Sequence, residues 1–283
     1  TGFIGKELIK RLNEKGHEIA ILTRNPESAR FHLPVHCEIV TWNPERTALF
    51  PSALKGVDAV INLAGEGIAD ARWSSDRKRK IMESRVLSVR RLINTMTYMS
   101  AKPQVFISAS AIGLYGNRKD ELLDETASKG HGFLSDVCQK WENEIITAKE
   151  LGIRTVAFRL GMVLGHDGGA LNKMLPPFKL GVGGRLGSGS QWMSWIHIND
   201  LVNMMIHAIE NPSMDGVFNA VSPNPAKNSE FTKTLGRILN RPTIFSVPGF
   251  VLKIGLGELS ELLLSSQRVN SKKISNTGFQ FEY

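Results

Sequence analysis

Cysteine is scarce in this chain: two among 283 residues, Cys37 and Cys138. Two lone cysteines give neither a metal-ligand spacing nor a disulfide framework, so no metal is expected, and a reducing, cytoplasmic compartment is. No apolar run is long enough to span a bilayer. The most apolar late stretch, FVLKIGLGELSELLL (250–264), is broken by Lys253, Glu258 and Glu261, and no membrane partner is expected. Internal repeats and low-complexity tracts are missing, which excludes solenoids. Acidic residues are fewer than basic ones, 27 against 35, giving a net charge of +8. Such a balance suits either a solvated basic surface or attraction to nucleic acid, acidic lipid or phosphorylated ligands. The basic run RWSSDRKRKIMESR (72–85) comes with no aromatic stacking platform and no base-reading helix motif, so nucleic acid is not expected.

What is present is the composition of a globular protein, 42% hydrophobic and 22% charged, long enough for one large domain or two tightly coupled ones. Apolar strands alternate with helical patterns. HEIAILTR (17–24), CEIVTW (37–42), DAVINLAG (58–65), QVFISAS (104–110), RTVAFRLG (154–161) and GVFNAV (216–221) read as strands; about 74–99, 132–151 and 198–211 read as helices. This alternation predicts an α/β fold with a doubly wound parallel sheet. Residues 161–195 are rich in glycine, carry paired prolines and interleave Met, Leu, Phe and Trp, and they read as a binding-loop region. A smaller α-rich segment follows from about 225.

The chain opens TGFIG and runs straight into a helix. A helix start has free N–H groups and a positive dipole end, and so attracts phosphate. Gly2 and Gly5 have the spacing of the last two glycines of G-x-x-G-x-x-G, and with Phe3 and Ile4 form a candidate pyrophosphate cradle. The strand expected before them is not in the sequence, whose start is read as cut. The strand at 17–24 ends in Thr23-Arg24, where a site for NAD would place Asp or Glu. A guanidinium can grip a 2′-phosphate, so NADP is predicted over NAD; the other reading is a solvent-facing base. Leu63, Ala64 and Gly65 end the strand expected to pass beneath the adenosine.

Taken in order, TGFIG, TR, NLAG, SASAIGLYG (108–116), FRLGMVLG (158–165) and WIHINDLV (195–202) resemble the extended short-chain dehydrogenase/reductases, the NAD-dependent epimerase/dehydratase superfamily. NLAGEGI, the 72–85 run, the 169–202 block and the RP…VP…LLLSSQRV tail resemble its atypical epimerase branch, which ends in a small domain of unknown function. The resemblance implies a Rossmann-type domain at 1–165 lacking its first strand, with 196–222 returning to it. It implies a mixed, α-rich substrate domain from 166–195 and 223–283. Relatives run on past the final Phe-x-Tyr, so Tyr283 is read as a second cut end. Many pair through two helices into a four-helix bundle, which makes a homodimer an expectation. The substrate class implied is a small molecule, sugar-like or nucleotide-linked.

The superfamily's usual catalyst is a Ser/Thr at one strand end with Tyr-x-x-x-Lys on the next helix, where i and i+4 share a face. Matching Glu142 to the acidic residue that follows that lysine places Leu134 and Cys138 where Tyr and Lys should stand, and neither can do their work. Two literal matches, Tyr98–Lys102 and Tyr115–Lys119, lie at the wrong sheet edge and in a loop. The catalytic candidates left are Ser110 nearest the serine place, which registering on Tyr115-Gly116 gives to Ala111 instead, Tyr115 reaching the nicotinamide side, and Cys138, which reads more often as a small apolar filler. By the resemblance, Arg85 replaces a cleft-floor asparagine, facing cofactor or an internal salt bridge, and Met162 and Val163 pass the nicotinamide with backbone contacts. Trp192 and Trp195 are cleft-wall or core residues, and Asp200 a first-turn acid. Two functions stay open: an NADP-dependent oxidoreductase or epimerase-like enzyme with a non-standard proton donor, or an inactive NADP-binding sensor or scaffold.

Overall fold

The computed structural model describes residues 1–33, 37–166 and 168–283. In its first half α1 (Phe3–Glu14), β1 (Ala20–Thr23), α2 (Pro26–His32), β2 (Glu38–Thr41), β3 (Ala59–Asn62), α3 (Ser75–Thr97), β4 (Val105–Ala111), β5 (Leu122–Leu123) and α4 (Phe133–Ile146) follow one another. Then come β6 (Arg154–Leu160), β7 (Met162–Gly165), α5 (Gly169–Lys179), β8 (Gly184–Leu186), β9 (Trp192–Met193), β10 (Trp195–His197), α6 (Ile198–Glu210) and β11 (Gly216–Ala220). The chain finishes with β12 (Ala226–Lys227), α7 (Asn228–Ile238), β13 (Phe245–Val247), α8 (Gly249–Leu256), α9 (Glu261–Leu264), β14 (Arg268–Val269) and α10 (Lys272–Ser275).

The main sheet has the order β11-β6-β4-β3 and is parallel throughout. Its central strands are buried along nearly their whole length, as a parallel sheet covered on both faces requires. Successive residues of β4 feed opposite cores. Val105 and Ile107 join Leu8, Leu12, Phe158, Leu201 and Met205 under α1 and α6, whereas Phe106 joins Val89, Leu92, Met96 and Trp141 under α3 and α4. This is the doubly wound α/β fold that the strand and helix alternation predicts. β1 and β2 form a separate parallel pair. Among the described residues β1 and β3 do not pair with each other.

One expectation needs correction. The stretch 161–195 is not an irregular loop: β7 pairs with β10, and α5 occupies Gly169–Lys179 with Pro176 and Pro177 inside it. Leu171, Met174, Leu175 and Phe178 fall at helical spacing, and Phe178 is buried. Packing of that stripe outweighs the two prolines, which sit near the helix end, where few ladder bonds remain to be lost. Asp167, also in this stretch, lies outside the described residues.

Candidate functional site

A cleft runs past the start of α1 and the ends of β1 and β3 to the segment around α9. At its centre α1 begins on Gly2, whose backbone is extended, with no side-chain cap and no acidic residue in the first turn. Lys6 is the first residue whose N–H reaches an intrahelical acceptor, the Gly2 carbonyl at 2.9 Å. The amides of Phe3, Ile4 and Gly5 have no acceptor within the helix. A Cβ built on Gly2 or Gly5 would meet nothing within 4 Å, so the backbone is bare toward the cleft. The Phe3 ring turns the other way. It packs so close under Gly165, Gly168 and Gly169 that a Cβ on any of them would lie 2.6–2.8 Å from it, which seats the turn between β7 and α5 over the start of α1.

Thr23 and Arg24 end β1 on the cleft wall. The Thr23 hydroxyl accepts the Asn25 amide at 3.2 Å. Arg24 is exposed, and its ion pairs to Glu45 and Glu66 span 3.8 and 4.0 Å. These distances are too long for hydrogen bonds, so its donors stay available to a ligand. Leu63, Ala64 and Gly65 follow β3 along the wall. Arg85 reaches over Gly65, where a Cβ would stand 3.2 Å from the guanidinium carbon. Its Nη1 donates to the Glu66 and Ile81 carbonyls, both at 3.0 Å, and burial lowers its pKa from the ordinary arginine value. None of those bonds goes to a carboxylate, so the internal salt bridge is not what holds it. Met162 and Val163 line the cleft from β7.

The other bases of the 72–85 run are committed within the molecule. Arg77 pairs with Glu66 at 2.6 Å, Arg79 with Asp76 at 2.5 Å, Lys80 with Asp76 at 3.0 Å, Lys78 with Glu258, and Arg72 donates to the Gly255 carbonyl. Sequence reasoning missed a further tie. Lys173 on α5 bonds Asp70 at 2.6 Å and the Ala69 carbonyl at 3.1 Å, and it holds the Asp70 carboxyl below its ordinary pKa. This joins α5 to the loop after β3, and both line the cleft.

Leu134 and Cys138 sit on the wall where the Tyr and Lys were looked for, next to Gly113, whose Cβ would lie 3.3 Å from Leu134 and 3.7 Å from the Cys138 sulfur. Burial, aided by Glu142, pushes the Cys138 thiol up to about 12, so it is a neutral thiol at physiological pH. With iodoacetamide at neutral pH and mass-spectrometric detection, Cys37, which is partly exposed, is expected to be labelled well before Cys138. Rapid labelling of Cys138 would contradict this.

Ser110, 1% exposed at the end of β4, donates to Glu142 Oε1 at 2.6 Å. Arg159 on β6 grips the same carboxylate with both forks, Nε to Oε1 at 2.9 Å and Nη2 to Oε2 at 2.8 Å. Burial works against the Arg159 charge, but the bonds and charge of Glu142 outweigh it and raise its pKa. Arg159 Nη1 donates to the Tyr115 hydroxyl at 2.8 Å, which in turn donates to Asn219 at 2.7 Å. Tyr115 is fully buried beside Ile112, Leu123, Val221 and Val269 and is not on the cleft wall. The turn Ile112–Tyr115 rolls its ring into this small core, so it does not reach the nicotinamide side. Tyr98 is 80% exposed at the end of α3. Trp192 lines the cleft and Trp195 does not. Asp200 is buried and accepts the Glu282 and Tyr283 amides at 2.9 and 3.2 Å, anchoring the last residues.

The profile described as the NAD dependent epimerase/dehydratase family matches residues 1–221. The chain belongs to that family. A second profile, the domain of unknown function DUF1731, matches residues 247–283 of this epimerase-family chain. It is 38% identical to the chloroplastic "Epimerase family protein SDR39U1 homolog" of Arabidopsis thaliana, over 100% of this chain and 81% of that protein. It is also 38% identical to "Epimerase family protein YfhF" of Bacillus subtilis, over 100% and 92%. Among solved structures, the human epimerase family protein SDR39U1 with NADPH superposes with a TM-score of 0.88 at 32% identity, covering 100% of this chain and 92% of that one. A nucleoside-diphosphate sugar epimerase from Corynebacterium glutamicum gives 0.70 at 30% identity, covering 98% and 59%.

Proposed function

We propose that this epimerase-family chain is an NADP-dependent oxidoreductase or epimerase-like enzyme that works without the Tyr-x-x-x-Lys pair on a small, nucleotide-linked sugar-like substrate. The observation that carries the cofactor is the bare start of α1, with Gly2 and Gly5 open to the cleft and the weakly engaged Arg24 at the end of β1. Phe3, Ile4 and Gly5 would hold the pyrophosphate, Thr23 and Arg24 the 2′-phosphate, Leu63–Gly65 the adenosine, and Arg85, Met162 and Val163 the far half. Bound there, NADP supplies hydride acceptance and donation. The NADPH in the human relative's structure and the nucleoside-diphosphate sugar epimerase among the neighbours support the reading. Ser110 lies among the polar residues that line the cleft beyond β4, with Asn117, His131, Ser135 and Gln267, and Cys138 packs there as a neutral side chain. Both cysteines are free thiols, which supports a reducing, cytoplasmic compartment.

NADPH fluorescence titration tests the cofactor. Gly2→Ala is expected to leave the melting temperature nearly unchanged, because Gly2 is extended, with φ −77°, and a Cβ there would meet nothing within 4 Å. The glycine at this place lets the backbone approach the pyrophosphate, so NADPH affinity is expected to fall about tenfold. Unchanged affinity would remove the start of α1 from the site. Oxidation of bound NADPH or reduction of NADP⁺ across a panel of nucleotide sugars tests turnover. Leu134 and Cys138 on the wall favour the second reading, a binding protein without turnover, and tight NADPH binding with an inert panel would select it.

A further inference from the structure

Two segments of the chain, 168–199 and 231–257, contain no aspartate or glutamate, although the whole chain holds 27 acidic residues. Their bases stand largely without partners. Lys179, Arg185, Arg241 and Lys253 are exposed, and among the described residues none of them joins an ion pair, whereas Lys173 in the same stretch is tied to Asp70. Most of the large apolar side chains that stand exposed among the described residues lie here too: Leu180 is 79%, Val182 54%, Ile244 82%, Phe245 51%, Phe250 66% and Ile254 76% exposed. The pairing of β13 with β8 gathers them. Phe245 stands opposite Gly184 and Ser246 opposite Arg185, so Ile244 and Phe245 lie beside Val182, with Lys179 and Leu180 leading in from α5. After Pro248 comes α8, which buries none of its residues. Phe250 and Ile254 are four apart on it and share one face. An apolar surface of this kind marks a contact site.

We propose that the surface built by β8, β13 and α8 seats on an anionic lipid bilayer, its apolar side chains entering the headgroup boundary and its bases lying on the headgroups. The mixture of exposed aliphatic side chains with charge of one sign selects this partner. A bilayer surface offers acyl chains and negative headgroups in the same place. A second copy of this chain would bring bases against bases. A nucleic acid would meet aliphatic side chains where it needs stacking platforms. The sequence expectation of no membrane partner rested on the lack of a spanning run. That lack holds, since no helix among the described residues is long and apolar enough to cross a membrane, but a peripheral seat needs no such run. The proposal does not depend on the cofactor reading.

Vesicle flotation of the full chain tests it, with phosphatidylcholine alone and with phosphatidylcholine mixed with phosphatidylglycerol. The chain is expected to float with the anionic vesicles, to stay behind with phosphatidylcholine alone, and to be released by salt. Lys179→Gln with Arg241→Gln should weaken partition by about fivefold for each base removed. Phe250→Ser with Ile254→Ser should weaken it by at least about tenfold. Lys102→Gln with Lys140→Gln, exposed bases outside the two segments, should leave it within about twofold. All these side chains are exposed, so thermal melts should stay where they are. If a melt does move, Phe250→Trp supplies a separate reading: its added fluorescence should be quenched by brominated acyl chains in the anionic vesicles. Failure to float with the anionic vesicles, an equal loss in the Lys102 and Lys140 pair, undiminished partition in Phe250→Ser with Ile254→Ser, or no quenching overturns the proposal. So does dimerisation of the lipid-free chain that the same serine pair abolishes, because a second copy then covers the face.

Discussion

Arg24→Asp is expected to invert the cofactor preference, with NADPH affinity falling about 100-fold and NADH affinity changing little. A charged hydrogen bond contributes about 1.5–3 kcal/mol, and a carboxylate at the same place repels the 2′-phosphate as well. The fold should not suffer. Arg24 is exposed and its two ion pairs are long, so removing them costs at most the small amount usual for surface pairs. Fluorescence titration of both cofactors, run beside thermal melts, reads the two effects separately. An unaltered order of NADPH and NADH would take Arg24 out of the site.

The second large effect is on stability. Arg159→Met leaves Glu142 buried without its partner, and breaking a buried pair in this way costs about 3–5 kcal/mol. For a chain of this size that corresponds to a fall of about 10 °C in melting temperature. Replacing both members, as in Arg159→Met with Glu142→Leu, should recover much of the loss, because no charge is then stranded. Calorimetry on the single and double variants checks this. A single variant that melts within a degree of the parent would show that the pair contributes little.

The sheet was legible because its strands are buried on both faces and so appear as short continuous apolar runs, QVFISAS and RTVAFRLG among them. The shared face of Leu134 and Cys138, four apart on α4, was legible too: both stand on the cleft wall beside Gly113. The helix α5 was not, because glycine and proline dominate its local signal while the apolar stripe that decides it is read only through packing. Nor could spacing show that Tyr115 turns inward, since a tyrosine after a strand can face either way. The Glu142–Arg159 clamp joins a helix to a strand and leaves no periodic trace. Glu142 served in the sequence only to set the alignment, although the structure makes it the partner of both Ser110 and Arg159.

The tie between Lys173 and Asp70 bears on timing. Both side chains are about half exposed, so their attraction is of the weak, salt-screened kind. A clasp of this kind parts at little cost between two segments that both line the cleft, and raising the ionic strength should weaken it further.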